Sequence, residues 1–592
     1  MCFAKTISFI PSYFISFITS FALEYPSAGL FHIVAITRDQ RTLLSADKVI
    51  LPGVGAFEDA MKKLILHKPL QKLLSLSAAD TSANSSDSMI VSEQKIPVSG
   101  LLSQDMEWVK QYYSCCSDLI YRHITVGDSE KRRAAVFYFD GMTNSSVVHD
   151  NILQPLLLDA EFTENDAESG SDFQNYFSFF KNRLLPAGEI TIIDNLEQGC
   201  FSMMNGDVLL LVDGCQQALI VDAKGFPQRQ VSRAENEAVL RGPQEAFTEP
   251  MRVNTELIRR HLRTSQLKLE EKTLGKYTRT QVAVVYLKGV ANENIVAEVH
   301  RRLDGLKNVD SILDSSCIEQ YIEDSPLSVF PQMQYTERPD KVAASLLEGR
   351  VALVVDGSPN VILLPLLFVQ LLQSPEDYYT RMIPGTFMRW IRYMGVLIAI
   401  LFPSLYVAIT SYHPEILPLN LLLSIAAARE GIPFPAFIEA LIMELCFELL
   451  REASIRLPGA IGNTIGIVGA LVIGDAAVSA HLVAPQMVIV VAITAIGSFA
   501  VPSMEASYPI RLLRFPLMLL AAAFGLYGVA LGVMGILIHL LQLRSFGFPY
   551  LEPLAPLKGR ELQDVLMRAP RWQMMVKPQF QGNTLQTGNI FQ

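Results

Sequence analysis

After Arg392 the sequence turns into long apolar runs, and this limits the fold more than any other feature, because a bilayer core takes about 20 consecutive apolar residues per helix. Four runs stand out: Met394–Thr410, Ile461–Ala480, Met487–Val501 and Leu517–Leu541. Two more are ambiguous. Leu417–Ala428 is short, and Ile432–Leu450 carries Glu439, Glu444 and Glu448, so either is re-entrant, interfacial or buried inside a bundle. Four to six crossings are expected. Charged residues are only 18% of the 592, below the roughly 25% of a soluble domain, as a chain partly solvated by lipid requires.

Charge also orients and excludes. With 49 Lys+Arg against 59 Asp+Glu the net charge is −10, which removes the basic footprint of a nucleic-acid binder. Seven cysteines are scattered without a CxxC pair or ligand-like spacing to histidine, against both a zinc site and a disulfide framework. Near the N-terminus, Lys5 precedes the run Ile7 to Leu23, but Pro11 and several serines interrupt it, and an efficient export signal is not expected. The large region before the runs and the tail after them are therefore placed in the cytoplasm, with an even number of crossings between. Arg381, Arg389 and Arg392 before the first run, and Arg544, Lys558, Arg560, Arg568 and Arg571 after the last, fit that orientation. Arg511 and Arg514 do not, and must lie on the far side or in the interface.

The Ser-rich stretch within residues 77–98 cannot bury a core and reads as a linker between a head, residues 1–76, and a body. From 99 to 375, strand candidates alternate with amphipathic helical stretches: Ala134–Phe139, Glu189–Ile193, Val208–Val212, Ala218–Val221, Val282–Leu287 and Val351–Val355. That alternation reads as α/β. It is also a repeat. Gly206-Asp-Val-Leu-Leu-Leu-Val-Asp-Gly214 is echoed by Gly349-Arg-Val-Ala-Leu-Val-Val-Asp-Gly357, each followed by an apolar run, as Asp-Gly hairpin turns between two strands would give. Two related subdomains, 99–230 and 275–375, are expected around a helical connector, 231–274. A transmembrane helical bundle, 376–545, and a cytoplasmic tail, 546–592, follow.

Within the bundle, Gly462, Gly466, Ala470 and Gly474 recur every four residues, and Gly525, Gly528, Gly532 and Gly535 at spacings of 3, 4 and 3. Each set makes a small-residue helix face that lets helices approach closely, although glycine is common in membrane helices anyway. These glycines, with Asp475, are candidates for packing or for lining a pore. Ionisable groups in apolar surroundings are costly unless paired or wetted, so Glu439, Glu444 and Glu448 are candidates too. Glu444, Glu448 and Arg451 share one helical face, as a structural Glu448–Arg451 pair or as an ion path. His539 reads as an interfacial or packing residue. The soluble half holds no nucleophile–base or metal constellation, so no enzyme, cofactor or metal is expected.

Two resemblances add to this. Ser45-Ala-Asp-Lys-Val-Ile-Leu-Pro-Gly-Val-Gly-Ala-Phe-Glu-Asp-Ala-Met61 resembles, over about 36–64, the glutaminase subunit of imidazole glycerol phosphate synthase. The nucleophile elbow of that family is missing, because Cys115-Cys116 sits in Tyr-Tyr-Ser-Cys-Cys-Ser, so the fragment is expected to be non-functional. From 102 to about 578 the chain resembles the A subunit of spore germinant receptors, the GerA family. The resemblance rests on Arg241–Glu249, Glu337–Ala344 with Leu347–Ala352, Gln373–Tyr379, Pro433–Ala440, Phe447–Ala453 and Thr464–Ala470. It implies a multi-pass protein of the spore inner membrane that works with a transporter-like B subunit and a lipoprotein C subunit. It also implies homo-oligomers that form a nutrient-gated ion channel. Within those blocks Arg241, Glu245, Arg338 and Asp340 are candidates for subunit contacts. A stage V sporulation A-type channel paralogue and a non-conducting assembly scaffold are the alternatives.

Overall fold

The apolar runs of the body pair into two five-stranded sheets of one topology. β1 (Leu119–Val126), β2 (Arg132–Phe139), β3 (Ile190–Ile193), β4 (Val208–Val212) and β5 (Ala218–Val221) lie in the order β1-β2-β4-β5-β3. β6 (Leu267–Leu274), β7 (Thr280–Leu287), β8 (Gln334–Thr336), β9 (Val351–Val355) and β10 (Val361–Leu364) repeat it as β6-β7-β9-β10-β8. Every pairing is antiparallel. Strands and helices alternate as expected, and the expected Asp-Gly hairpins, β4–β5 and β9–β10, join antiparallel strands in each sheet.

The structure, a computed structural model, describes residues 96–126, 132–158, 190–225, 241–456, 472–558 and 562–568, with Ala234, Glu237, Val239 and Gly469 besides. The chain divides into two units, Met1–Ser92 and Glu93–Gln592, and all described residues belong to the second. The head expected to resemble an amidotransferase, most of the linker, Gly462 and Gly466 lie outside them.

Helices cover both faces of each sheet. Ala135, Phe137, Leu209 and Leu211 pack on α1 (Leu102–Tyr112) and α2 (Leu196–Met203), while Ala134, Val136 and Leu210 pack on Val148–Leu156. In the second sheet Ala283, Val285 and Val354 meet α3 (Met251–His261) and, further along the chain, α6 (Pro339–Leu347). Val282, Val284 and Leu353 meet α4 (Glu293–Gly305) and α5 (Ser315–Ile322). Burial on both faces is why these strands read as unbroken apolar runs.

The Asp-Gly turns are built alike. Gly214 and Gly357 both have φ +84°, a conformation glycine adopts without steric cost. The Gly214 N–H donates to Gly100 O and the Gly357 N–H to Glu249 O, each two residues before a face helix. Asp213 accepts from Leu102 N–H and Asp356 from Met251 N–H, the first residues of α1 and α3. Each carboxylate thus satisfies a helix N-terminal donor that has no partner within the helix. By this match α3 is the counterpart of α1. It and β6 belong to the second subdomain, so the expected connector is shorter than 231–274. The two subdomains are joined where residues 115–117 run beside β6: Ser117 N–H donates to Leu269 O (2.9 Å) and Leu269 N–H to Cys115 O (3.1 Å).

The helical region contains α7 (Met382–Tyr412), α8 (Leu419–Arg429), α9 (Ala436–Arg456), α10 (Pro485–Phe499) and α11 (Met504–Gln542). Residues 472–479 are also helical. By length and composition, α7 and α11 are apolar enough to cross a bilayer. α11 is not one rod. Gly525 has φ +60° and ψ −141°, outside the helical region, and the residues after it fold back on those before it. A Cβ added at Gly528 would lie 2.0 Å from Leu520 O, and one at Gly532 would lie 2.4 Å from Leu517 Cδ2. In a continuous helix residues 520 and 528 would be about 12 Å apart. Leu540 shares a core with Ala506. α11 is therefore a helical hairpin, Met504–Phe524 and Leu526–Gln542, with Gly525 at its tip. The break frees carbonyl groups, and the Tyr412 hydroxyl at the end of α7 donates to Ala522 O (2.5 Å).

This corrects the expected single face of four glycines. Gly525 makes the tip, Gly528 and Gly532 form the seam between the two limbs, and Gly535 has nothing within 4 Å of its would-be Cβ. After the hairpin, β11 (Arg544–Ser545) and β12 (Phe548–Pro549) enter the second subdomain. Phe546 joins its core, and Ser545 Oγ donates to Gln332 O (2.6 Å). The tail expected from 546 onward therefore begins inside a folded unit. Gly528→Leu should destabilise the protein by about 1–3 kcal/mol or more and lower its thermal midpoint in detergent. Gly535→Leu should melt like the wild type; equal midpoints for both variants would refute the hairpin seam.

Candidate functional site

Charges buried among the helices are the most costly side chains in this region. α9 presents Glu444 and Glu448 one turn apart, and the first limb of α11 presents Arg511 and Arg514. Arg514 and Glu444 are both 0% exposed and hydrogen-bonded to each other. Arg514 also reaches Glu448 Oε1 (3.1 Å), whose other oxygen accepts from Arg511 (2.9 Å). Glu444 Oε1 and Arg514 Nε have no further partner. Of the two expected arrangements, the pair Glu448–Arg451 is not formed: Arg451 lies over the Phe499 ring at 4.8 Å.

Arg511 and Arg514, expected on the far side or in the interface, stand at the end of the bundle nearest the sheets, where their neighbour Ile510 packs with Leu372. Two carboxylates compensate them, a pairing invisible to a count of positive flanks. At the other end Glu439 is 1% exposed, and accepts from Arg429 (3.0 Å) and from Ala484 N–H (2.9 Å), just before α10. One carboxylate thereby ties α8, α9 and α10.

The other candidates scatter. Gly474 is buried, with Val488 in ordinary contact, and Asp475 is exposed. Arg338 is 1% exposed and turned inward. It grips Asp340 and the carbonyls of Glu237 and Pro243, while Asp340 also accepts from Tyr379 (2.5 Å). Both residues thus hold segments of their own chain together. Arg241 is exposed, and Glu245 lies 3.6 Å from Arg260. His539 meets Ser328 Oγ (2.9 Å) and the Phe330 ring, a packing contact with the second subdomain. Among the described residues no three His, Cys, Asp or Glu side chains converge as a metal set. A cavity of about 460 Å³ between that subdomain and the start of α11 includes Glu237 and Asp314 in its wall. Both are occupied, Glu237 by Lys341 (2.6 Å) and Asp314 by the Cys317 N–H at the start of α5.

Sequence patterns missed the charges between the subdomains, which come together only through folding. Arg259 and Asp118, 3% and 2% exposed, form a bidentate pair, with the guanidinium over Phe139 at 4.4 Å. One turn away Glu256 is 2% exposed, packed on Gly141, and neither of its oxygens has a hydrogen-bond donor. Burial pushes its carboxyl up to about 7, against the pull of Arg260.

The chain belongs to the GerA family of spore germination proteins, because the family model described as Bacillus/Clostridium GerA spore germination protein matches residues 107–580. In Bacillus subtilis (strain 168) it is similar to the uncharacterized membrane protein YfkQ, 41% identical over 485 residues, covering 82% of this chain and 92% of that one. It is 39% identical over 487 residues to spore germination protein KA of the same organism, covering 82% and 88%. The crystal structure of the N-terminal domain of the A subunit of the Bacillus megaterium spore germinant receptor GerK3 matches at 32% identity. That match covers 47% of this chain and 99% of the other, with a TM-score of 0.36.

Two predictions follow from the buried charges. Arg514→Ala leaves Glu444 uncompensated and should cost about 3–5 kcal/mol, whereas Glu444→Gln with Arg514→Gln should cost markedly less. Thermal unfolding of the two variants tests the pair, and equal losses would remove the coupling. For Glu256 the folded-state pKa lies above the unfolded one, so its stabilisation is complete at low pH and is lost as pH rises toward and through about 7. Glu256→Gln should flatten the fall in unfolding free energy between pH 5 and 8, by on the order of 2–3 kcal/mol at the alkaline end. Parallel curves for variant and wild type would show that Glu256 ionises freely.

Proposed function

We propose that this chain is the A-type subunit of a spore germinant receptor, and that copies of it assemble through the helical region into an ion path opened by nutrient. The observation that carries this reading is the double connection between sheets and helices. α7 leaves the second subdomain and α11 leads back into it through Phe546, so a change in the sheets reaches both ends of the helical chain.

On this reading the helices cross the inner membrane of the spore an even number of times, four to six, in contact with lipid. The sheets and the returning strands share the cytoplasmic side. A transporter-like B subunit and a lipoprotein C subunit are the partners, and the chain performs no catalysis. One observation favours a non-conducting scaffold instead: Glu439, Glu444 and Glu448 all accept from arginine or backbone donors, which leaves no free carboxylate among them to attract a cation.

Conductance decides between the two. Purified chain in lipid vesicles, with its partner subunits, should release trapped ions when the nutrient is added. Intact oligomers that never conduct, with or without partners, would favour the scaffold.

A further inference from the structure

The chain returns to the root of α7 a second time, beyond the β11–β12 hairpin. Residues 562–568 lie across the first turns of α7 and the segment that leads into it. Four side chains of α7 or its lead bind the strap's backbone: Gln373 donates to Asp564 O (3.0 Å), Trp390 Nε1 to Leu566 O (2.7 Å), the Tyr393 hydroxyl to Val565 O (2.5 Å), and Arg389 to Asp564 O. Arg568 N–H donates in turn to Thr386 Oγ1 (3.1 Å).

At the centre stands Arg389, which is 0% exposed. Its guanidinium bonds the carbonyl of Asp564 and lies 3.3 Å from that residue's carboxylate and 3.4 Å from Asp377. Asp377 is shared with Arg392, and Asp564 accepts from Tyr378 (2.7 Å). Few apolar groups take part. Val565 is buried, but Leu566 and Met567 are each 49% exposed.

A contact made of polar groups is strong while dry and weak once wetted, because water replaces each hydrogen bond. It is also incompletely satisfied. Arg389 Nη2 and Arg568 Nε are buried with no acceptor, and a partly satisfied polar network stabilises less than a complete one. Opening the strap would hydrate both groups, and would leave Arg389 without Asp564 at the point where α7 leaves the second subdomain.

We propose that residues 562–568 form a releasable strap. Docked, it holds the root of α7 against the second subdomain; released, it frees α7 to move relative to the sheets. The gating role of that movement rests on the receptor reading above, whereas the strap's opening does not.

Hydrogen exchange on the full chain in detergent tests the opening. Residues 562–568 and the first turns of α7 should exchange together, both faster in Asp564→Ala by roughly ten- to hundredfold, as expected for lost charged hydrogen bonds, with the sheet strands unchanged. Thr386→Cys with Arg568→Cys, oxidised to a disulfide, should slow both segments, and dithiothreitol should restore them; each single substitution is the control. If the α7 turns ignore both the Asp564 change and the disulfide, the strap is not coupled to α7 and the proposal falls. In vesicles holding the complete receptor, the oxidised double variant should lose nutrient-triggered ion release and regain it on reduction. Release unaffected by the disulfide would overturn the gating role. Should even the wild type fail to conduct, the receptor reading fails, and the exchange measurement still decides the strap.

Discussion

Two short carboxylates, Asp213 and Asp356, tie the two sheets to the helices on their faces. Each occupies a hairpin turn, and each reaches across to the first N–H of a helix on the sheet face. The turn and the helix are far apart in sequence, so one hydrogen bond fixes strand register and helix placement together. A cap of this kind contributes about 1 kcal/mol. Its larger effect is geometric. With the helix start pinned, the alternating side chains of β4 or β9 can meet only one helical layer on each side. Both subdomains use the same device, and both have the same strand order.

In the helical region the controlling constraint is that buried backbone and charged groups must be satisfied. Breaking α11 at Gly525 exposes carbonyl groups, and the Tyr412 hydroxyl supplies one of them with a donor. Placing Arg514 inside calls for Glu444 and Glu448 opposite it. The far end of the bundle is held by Glu439 in the same manner. Each polar group therefore brings two or three elements together, and apolar packing fills the remaining surface.

How much of this was legible in the sequence follows from the range of each interaction. The central strands β4, β5 and β9 have the bounds expected of them, because burial on both faces makes an unbroken apolar run with turn residues at its ends. β1, β6 and the short β8 were not recognised. The first two lie at sheet edges with charged residues among the apolar ones, and the third has only three residues. The glycines of α11 were conspicuous, but a helix-face pattern cannot distinguish a straight seam from a hairpin. The positive φ at Gly525, with Gly528 and Gly532 set against the first limb, separates the two. The acidic residues of α9 and the arginines Arg511 and Arg514 of α11 were each visible as an anomaly, but their pairing, across more than sixty positions, was not. Arg259 with Asp118 and Arg389 with Asp564 left no local trace, since neither residue of these pairs is unusual in its own neighbourhood.

The insertion of Phe546 into the second subdomain also bears on how the chain is made. Synthesis runs from the N-terminus, and domains generally fold as they emerge. The first subdomain has all of its described strands by Val221 and can close early. The second has its five strands by Leu364, yet one core aromatic arrives only after the whole helical region has been translated. Until then the site for Phe546 stays open, and it closes only after the helices between have been made. The core of the second sheet is thus completed by a residue that lies beyond the whole helical region.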